Sequence, residues 1–149
     1  MEIRIETASV RLLDKLFEIE EQCFDEEAFS KRQISYLLSD YNTVALAAKA
    51  DGSLAGFIIA QVEIEGDKLF GHIITINVAP KYRRKGIGSR MLREIEGIFK
   101  QKGLGECHLE VREDNSAALK LYHGSSYQTM MRLEKYYGKK HGLYLKKTL

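Results

Sequence analysis

One stretch carries recognisable chemistry without any alignment. His72-Ile-Ile-Thr-Ile-Asn-Val78 is apolar and β-branched, and the only proline, Pro80, follows two residues later. Three consecutive cations come next, Arg83, Arg84 and Lys85, and then Gly86 and Gly88 open a helical pattern. This reads as a strand, a tight basic loop and a helix N-terminus. The first turn of a helix has free N–H donors and a partial positive charge, which favours an anion, phosphate above all. Glycines let a ligand approach the backbone, and the flanking cations add attraction. The stretch therefore reads as a pyrophosphate cradle. It matches neither a Gly-Lys-Ser/Thr P-loop nor a Gly-x-Gly-x-x-Gly fingerprint, which counts against a nucleotide-phosphate-binding protein.

The bulk of the chain narrows the setting. Its 149 residues are enough for one domain with a fair-sized core. A net charge of +2 does not make the whole chain a polyanion binder, so direct nucleic-acid binding is not expected. Charge is unevenly placed: residues 81–90 hold five Lys/Arg and no acid, and residues 135–149 hold five Lys and no acid. The C-terminal lysines read as a solvated face. The acids gather early, as Glu18, Glu20, Glu21, Asp25, Glu26 and Glu27. Cys23 and Cys107 are far apart and have no CxxC or Cys/His partner, so they read as free thiols in a reducing cytoplasm, with no metal site. The N-terminus lacks the apolar core of a signal peptide, and no apolar run approaches the ~20 residues that span a bilayer. A cytoplasmic location without membrane attachment is the expectation.

The elements that must position the loop follow from periodicity. Ile3 and Ile5 alternate with polar residues as a first strand, and Ser9 is placed to cap a helix carrying Leu12, Leu13, Leu16, Phe17 and Ile19. The acidic turn Phe24 to Phe29 breaks that pattern. Ser30 and Gln33 form a capping-box pair for a second helix with Ile34, Leu37 and Leu38. Thr43–Ala50 and Leu54–Glu65 are strand-like and joined by Asp51-Gly52, a strong hairpin signal. Gly66-Asp67 marks a second hairpin into Lys68–Val78. Residues 87–100 form a helix with Ile87, Met91, Leu92, Ile95 and Phe99 on one face. Cys107–Val111 is a strand, Asn115 caps a short helix over Ser116–Tyr122, and Tyr127–Tyr137 with Gly142–Lys147 make a closing antiparallel pair. The order β-α-α-β-β-β-α-β-α-β-β predicts one α/β (α+β) domain: a mixed, mostly antiparallel central sheet flanked by about four helices.

At these residues the chain resembles the GNAT acetyltransferase superfamily. Arg83-Arg84-Lys85-Gly86-Ile87-Gly88 fits its acyl-coenzyme A signature [R/Q]-x-x-G-x-[G/A]. Leu109-Glu110-Val111-Arg112, with Asn115, Ala118, Leu121 and Tyr122, resembles the LEVRxxNxxAxxLY segment of RimI-like and archaeal N-terminal acetyltransferases. Leu133-Glu134-Lys135-Tyr136-Tyr137 is similar to the tyrosine-pair turn before that family's last strand. The matches fall in the family's order and cover essentially the whole chain. Two departures stand out: Ser125-Ser126-Tyr127 replaces a glycine-plus-aromatic turn, and Lys139-Lys140-His141-Gly142 replaces an acidic segment beside the acceptor.

The resemblance implies an acetyl-coenzyme A-dependent N-acetyltransferase that works by direct transfer and needs no metal. Its preferred acceptor is the N-terminal α-amine of a protein or peptide, and it works as a monomer or homodimer. Coenzyme contacts would come from Ile76, Asn77 and Val78, from Arg83, Arg84, Lys85, Gly86, Ile87, Gly88 and Ser89, and from Asn115 and Tyr122. Acyl-oxygen polarisation would fall to the backbone N–H of a strand residue opened by a bulge, placed at Val78. Three base candidates stay open: Glu110, His72 and Glu26. Tyr122 would hydrogen-bond the leaving sulfur, since its ordinary pKa of ~10 exceeds a thiol's ~8.5 and full proton donation is uphill. Phe24, Glu26, Phe29, Tyr136 and Tyr137 would face the acceptor. Two other readings are a small-amine, polyamine or lysine acetyltransferase and an acyl-coenzyme A-binding regulatory protein without catalysis.

Overall fold

Alternating apolar and polar residues, interrupted by two glycine turns, build the centre of the molecule. The computed structural model describes residues 1–24 and 26–149; Asp25, one of the early acids, lies outside the described residues. In chain order the elements are β1 (Ile3–Thr7), α1 (Leu13–Cys23), α2 (Lys31–Ser39), β2 (Thr43–Ala50), β3 (Ser53–Glu65) and β4 (Lys68–Val78). After these come α3 (Ile87–Gln101), β5 (Glu106–Arg112), α4 (Ser116–Gly124), β6 (Gln128–Tyr137) and β7 (Lys140–Thr148). The predicted element order holds. Asp51 and Gly52 both have positive φ (49° and 86°), as the tightest hairpin turn requires, and Gly66 (65°) serves the second hairpin. The capping box is present, with Ser30 Oγ accepting from Gln33 N–H at 3.1 Å and Gln33 Oε1 from Ser30 N–H at 2.8 Å.

Two expectations shift locally. Ser9 makes no side-chain cap; it precedes a 3-10 turn, Val10–Leu12, and α1 starts only at Leu13. Tyr127 stays outside β6, because its hydroxyl is held in the core, donating to Glu96 Oε2 at 2.8 Å.

The seven strands form one sheet in the order β1-β2-β3-β4-β5-β7-β6. Every pairing is antiparallel except β4 with β5. That exception is short. The pair shares only Gly71↔Cys107 and His72↔His108, although β4 continues to Val78 and β5 to Arg112. Beyond His72 the two strands part, leaving a gap in the middle of the sheet.

Helices cover both faces. On one, Ile87, Met91, Leu92, Ile95 and Phe99 of α3 pack on Ile58, Ala60, Ile73, Leu109 and Val111. On the other, Leu16, Ile19 and Ile34 of α1 and α2 pack on Ala45, Ala47, Phe57 and Ile59. The approach of α3 is close enough to require a glycine: a Cβ at Gly71 would enter the ring of Phe99, which is fully buried. Gly71→Ala should therefore cost about 1–3 kcal/mol of stability, the usual penalty for overpacking, read as a lower urea midpoint. An unchanged midpoint would mean that α3 retreats freely.

Candidate active site

A bulge in β4 decides which side chains meet. Ile59 pairs with Thr75 and Ala60 with Ile73, so Ile74 is an extra residue with no partner on β3. One inserted residue reverses the alternation. Before it, Ile73 faces α3 and His72 the opposite side; after it, Ile76 and Val78 pack toward α3 while Thr75 and Asn77 turn to α1. His72 thus shares a face with Thr75 and Asn77. The expected bulge at Val78 lies four residues upstream, at Ile74. Val78 is nonetheless open to the gap: its C=O accepts from Arg83 Nε at 3.0 Å rather than from β3. Because a strand residue's N–H and C=O point the same way, its N–H also faces away from β3. The neighbouring Ala79 N–H bonds back to Ala55 O at 2.8 Å, as that alternation requires.

On β5 the same alternation puts Leu109 and Val111 in the α3-side core and Glu110 on the other face. There His72 Nε2 lies 2.7 Å from Glu110 Oε1, and His72 Nδ1 lies 2.6 Å from Glu63 Oε2. The imidazole sits between two carboxylates. Burial works against its charged form, but the hydrogen bond and charge of Glu110, then those of Glu63, outweigh it. The pKa rises from the ordinary 6.5 to about 9. Of the three base candidates, the structure joins His72 and Glu110. Glu26 is exposed and takes no part in the cluster's hydrogen bonds. Its neighbour Glu27 turns inward instead and pairs with Arg112 Nη1 at 2.8 Å, which fastens the acidic turn to the end of β5.

Tyr136 and Tyr137 lie near Glu110. Their rings meet edge to face at 4.9 Å, and both phenols are held above the ordinary tyrosine value, first by burial and also by the nearby Glu110. Gly142 makes room for them, since a Cβ there would lie 3.0 Å from the Tyr137 ring. Tyr122 is buried, edge to face with Tyr127 at 5.9 Å. Its hydroxyl is held above the usual range, first by burial and then by Tyr137 and Cys107. A proton held that tightly suits hydrogen-bond donation to a sulfur better than full transfer. Phe29 belongs to the α1–α2 core, and its N–H bonds Glu20 Oε2 at 3.1 Å; Phe24 is half-buried at the end of α1.

The basic loop is shaped for an anion. Arg84 (φ 62°) and Gly86 (φ 78°) are both left-handed, and Gly86 begins α3 without any side-chain cap. The first turn of α3 has no acid, and the Arg90 N–H is the one that returns to Gly86 O, at 3.0 Å. The N–H groups of Ile87, Gly88 and Ser89 are thus left to a ligand. Gly88 is closely packed, since a Cβ would lie 3.3 Å from Leu121 and 3.7 Å from Val78. Other predicted contacts have structural tasks. Ile87 is core, Arg83 joins Val78 O to Cys23 Sγ, and the Asn115 side chain accepts from Ala118 N–H at 3.1 Å. The buried side chain of Asn77 donates to Glu20 Oε1 at 3.0 Å, away from the gap.

Glu63, Glu20 and Arg112 escaped the sequence reading. For Glu63 a signal existed. Counting back from the Gly66-Asp67 turn pairs Gln61 with His72, so Glu63 becomes the diagonal neighbour on the same face.

Comparison with known proteins agrees with this anatomy. The family model described as Acetyltransferase (GNAT) family matches residues 12–125. An N-alpha-acetyltransferase of Sulfurisphaera tokodaii is 28% identical, across 97% of this chain and 91% of its own. Spermidine N(1)-acetyltransferase of Thermoplasma acidophilum is 33% identical across 60% of this chain, which spans only 53% of that protein. The crystal structure of the PaiA N-acetyltransferase from Thermoplasma acidophilum in complex with coenzyme A superposes at a TM-score of 0.80, with 26% identity and all of both chains covered. With a seven-stranded sheet split between β4 and β5, a basic loop capping α3 and a family model matching most of the sequence, the chain belongs to the GNAT family of acetyltransferases.

Proposed function

We propose that this enzyme transfers the acetyl group of acetyl-coenzyme A to the N-terminal α-amine of a protein or peptide. One observation carries the acceptor side: a His72–Glu110 pair, 2.7 Å apart, on the face where the acidic turn and the Tyr136-Tyr137 pair converge. The coenzyme fits the residues present. The uncapped start of α3 can take its pyrophosphate through the N–H groups of Ile87, Gly88 and Ser89, with Arg84 and Lys85 adding charge. The gap beside Ile76 and Val78 can take its extended arm. When bound, the coenzyme supplies an activated thioester.

The protein's own groups do the rest. The Val78 N–H is pre-aimed into the gap and would polarise the acyl oxygen. The His72–Glu110 pair takes the proton from the amine. Tyr122, buried on α4, would donate a hydrogen bond to the departing sulfur. An α-amine has a pKa of ~8 and lysine ~10.4, so the α-amine gives its proton to this pair with far less help.

A relative that is a spermidine acetyltransferase supports a second reading, in which the acceptor is a polyamine. A polycation calls for acids beside the acceptor, whereas the β6–β7 turn and the start of β7 carry Lys139, Lys140 and His141. An acceptor panel tests both readings: peptides with free N-termini, N-terminally blocked peptides with an internal lysine, and spermidine, each followed by thiol release from acetyl-coenzyme A. The expected result is turnover that requires a free α-amine. Preference for spermidine would replace the peptide reading, and absence of turnover on all three would leave a binding protein.

A further inference from the structure

We propose that Glu63 is a positioning residue of the acyl-transfer site: its carboxylate fixes the tautomer and direction of His72 and, with Glu110, sets the pH at which the His72–Glu110 pair is free to take the acceptor's proton. The inference rests on the acetyl-transfer reading above and adds a residue from a different strand.

The geometry is specific. Glu63 Oε2 lies 2.6 Å from Nδ1 and Glu110 Oε1 lies 2.7 Å from Nε2, so the two carboxylates meet opposite ends of one ring. The side chains of His72 and Glu110 are about four-fifths buried, whereas Glu63 is 37% exposed at the rim. A neutral imidazole has one N–H and one lone pair. With Glu63 accepting from Nδ1–H, the lone pair of Nε2 must face Glu110. Two acceptors then confront each other at 2.7 Å unless a proton lies between them. That position is the seat for the proton that leaves the amine. Without Glu63 the neutral ring is free to choose the other tautomer, with Nε2–H pointing at Glu110, and the seat is already filled without any charge.

The other groups facing this cluster are few. On β5, His108 lies close enough to feel His72 and is itself held below its ordinary value, chiefly by burial. From β7, Tyr144 faces Glu110 and bonds the His108 ring at 2.5 Å. From β6, Tyr136 and Tyr137 face Glu110. Among the described residues, no lysine or arginine side chain hydrogen-bonds or ion-pairs with Glu63, His72 or Glu110. The two carboxylates therefore dominate the ring's proton affinity, in line with its rise to about 9. The pair is unloaded only as pH climbs toward that value, and kcat should climb with it.

Glu63→Gln is the decisive variant. The carboxamide oxygen can still accept from Nδ1–H, so the ring stays in place while one negative charge goes. Removing one of two close opposite charges should lower the His72 titration by about one pH unit. Two measurements follow it. NMR titration of the His72 ring in the substrate-free protein, assigned with His72→Gln, should show that drop, and Glu63→Asp should restore most of it. The rising limb of kcat against pH, with a free-N-terminus peptide as acceptor, should move down by the same amount. An unmoved titration and an unmoved limb would overturn the proposal. So would a uniform loss of kcat at every pH with the limb in place, which is what a purely structural residue gives. If the wild-type enzyme turns over no acceptor, the acetyl-transfer reading fails, while the NMR titration still decides whether Glu63 controls His72.

Discussion

Replacing Glu110 with glutamine should lower kcat by about 10²–10⁴-fold, the usual share of general acid–base catalysis, with little change in acetyl-coenzyme A affinity. The reason is local. Glu110 faces the acceptor side of β5 and touches His72, while the coenzyme's pyrophosphate falls to the start of α3 on another element. Glutamine keeps the size and can donate an amide N–H to the Nε2 lone pair, so the ring remains held, but no carboxylate is left on the Nε2 side to share a proton. The loss should appear equally in kcat and kcat/KM, the mark of an interaction made only as the reaction proceeds. Peptide turnover and calorimetric titration with acetyl-coenzyme A check both halves. A loss smaller than about fivefold would remove Glu110 from proton transfer.

Gly86→Glu should have the opposite profile, with coenzyme affinity falling about 30-fold. The new carboxylate would occupy the positive end of α3, where an anion is worth up to ~2 kcal/mol and where the pyrophosphate must go. A loss of ~2 kcal/mol corresponds to that fold-change. Gly86 also sits at φ 78°, where most side chains cost about 1–2 kcal/mol, a penalty on folding rather than on affinity because free and bound protein both bear it. A Cβ at this position meets nothing within 4 Å, so a fold disrupted by crowding is not expected. Gly86→Asn separates the two penalties: asparagine tolerates the left-handed backbone and adds no charge, so it should retain most of the affinity. Calorimetric titration and far-ultraviolet circular dichroism on the three proteins decide the matter. Wild-type affinity in the glutamate variant would remove the loop from coenzyme binding.

The sheet was legible in the sequence because its signals are local. Asp51-Gly52 and Gly66-Asp67 set the registers of two hairpins from each turn as far as the first bulge, and the spacing of Ile87, Met91, Leu92, Ile95 and Phe99 drew the inward face of α3. The anion-binding loop was legible for the same reason, since its donors are backbone groups of consecutive residues. The proton-handling cluster was only half legible. Glu63, His72 and Glu110 come from three strands, and their meeting depends on the parallel contact of β4 with β5, which no local signal announces. The bulge at Ile74 was also hidden. An inserted residue leaves no composition cue, yet it decides that His72 shares a face with Thr75 and Asn77. Arg83 and Phe29 have tasks in the fold that no local signal announces: Arg83 ties β4 to α1, and Phe29 packs against the α1–α2 core.

The brevity of the β4–β5 contact has a consequence for cohesion. Two residue pairs join a four-stranded half, β1 to β4, to a three-stranded half, β5 to β7. Side-chain packing in the core beneath α3 and the His72–Glu110, Lys68–Glu106 and Glu27–Arg112 pairs supply further grip. A guest bonded to the exposed edges of both halves acts as a missing strand, and its binding energy becomes folding energy, about 2.7 kcal/mol at one hundred times its dissociation constant. On the proposed reading, a coenzyme arm lying between β4 and β5 would close the seam between the halves, and its release would enter the rate at which this enzyme can work.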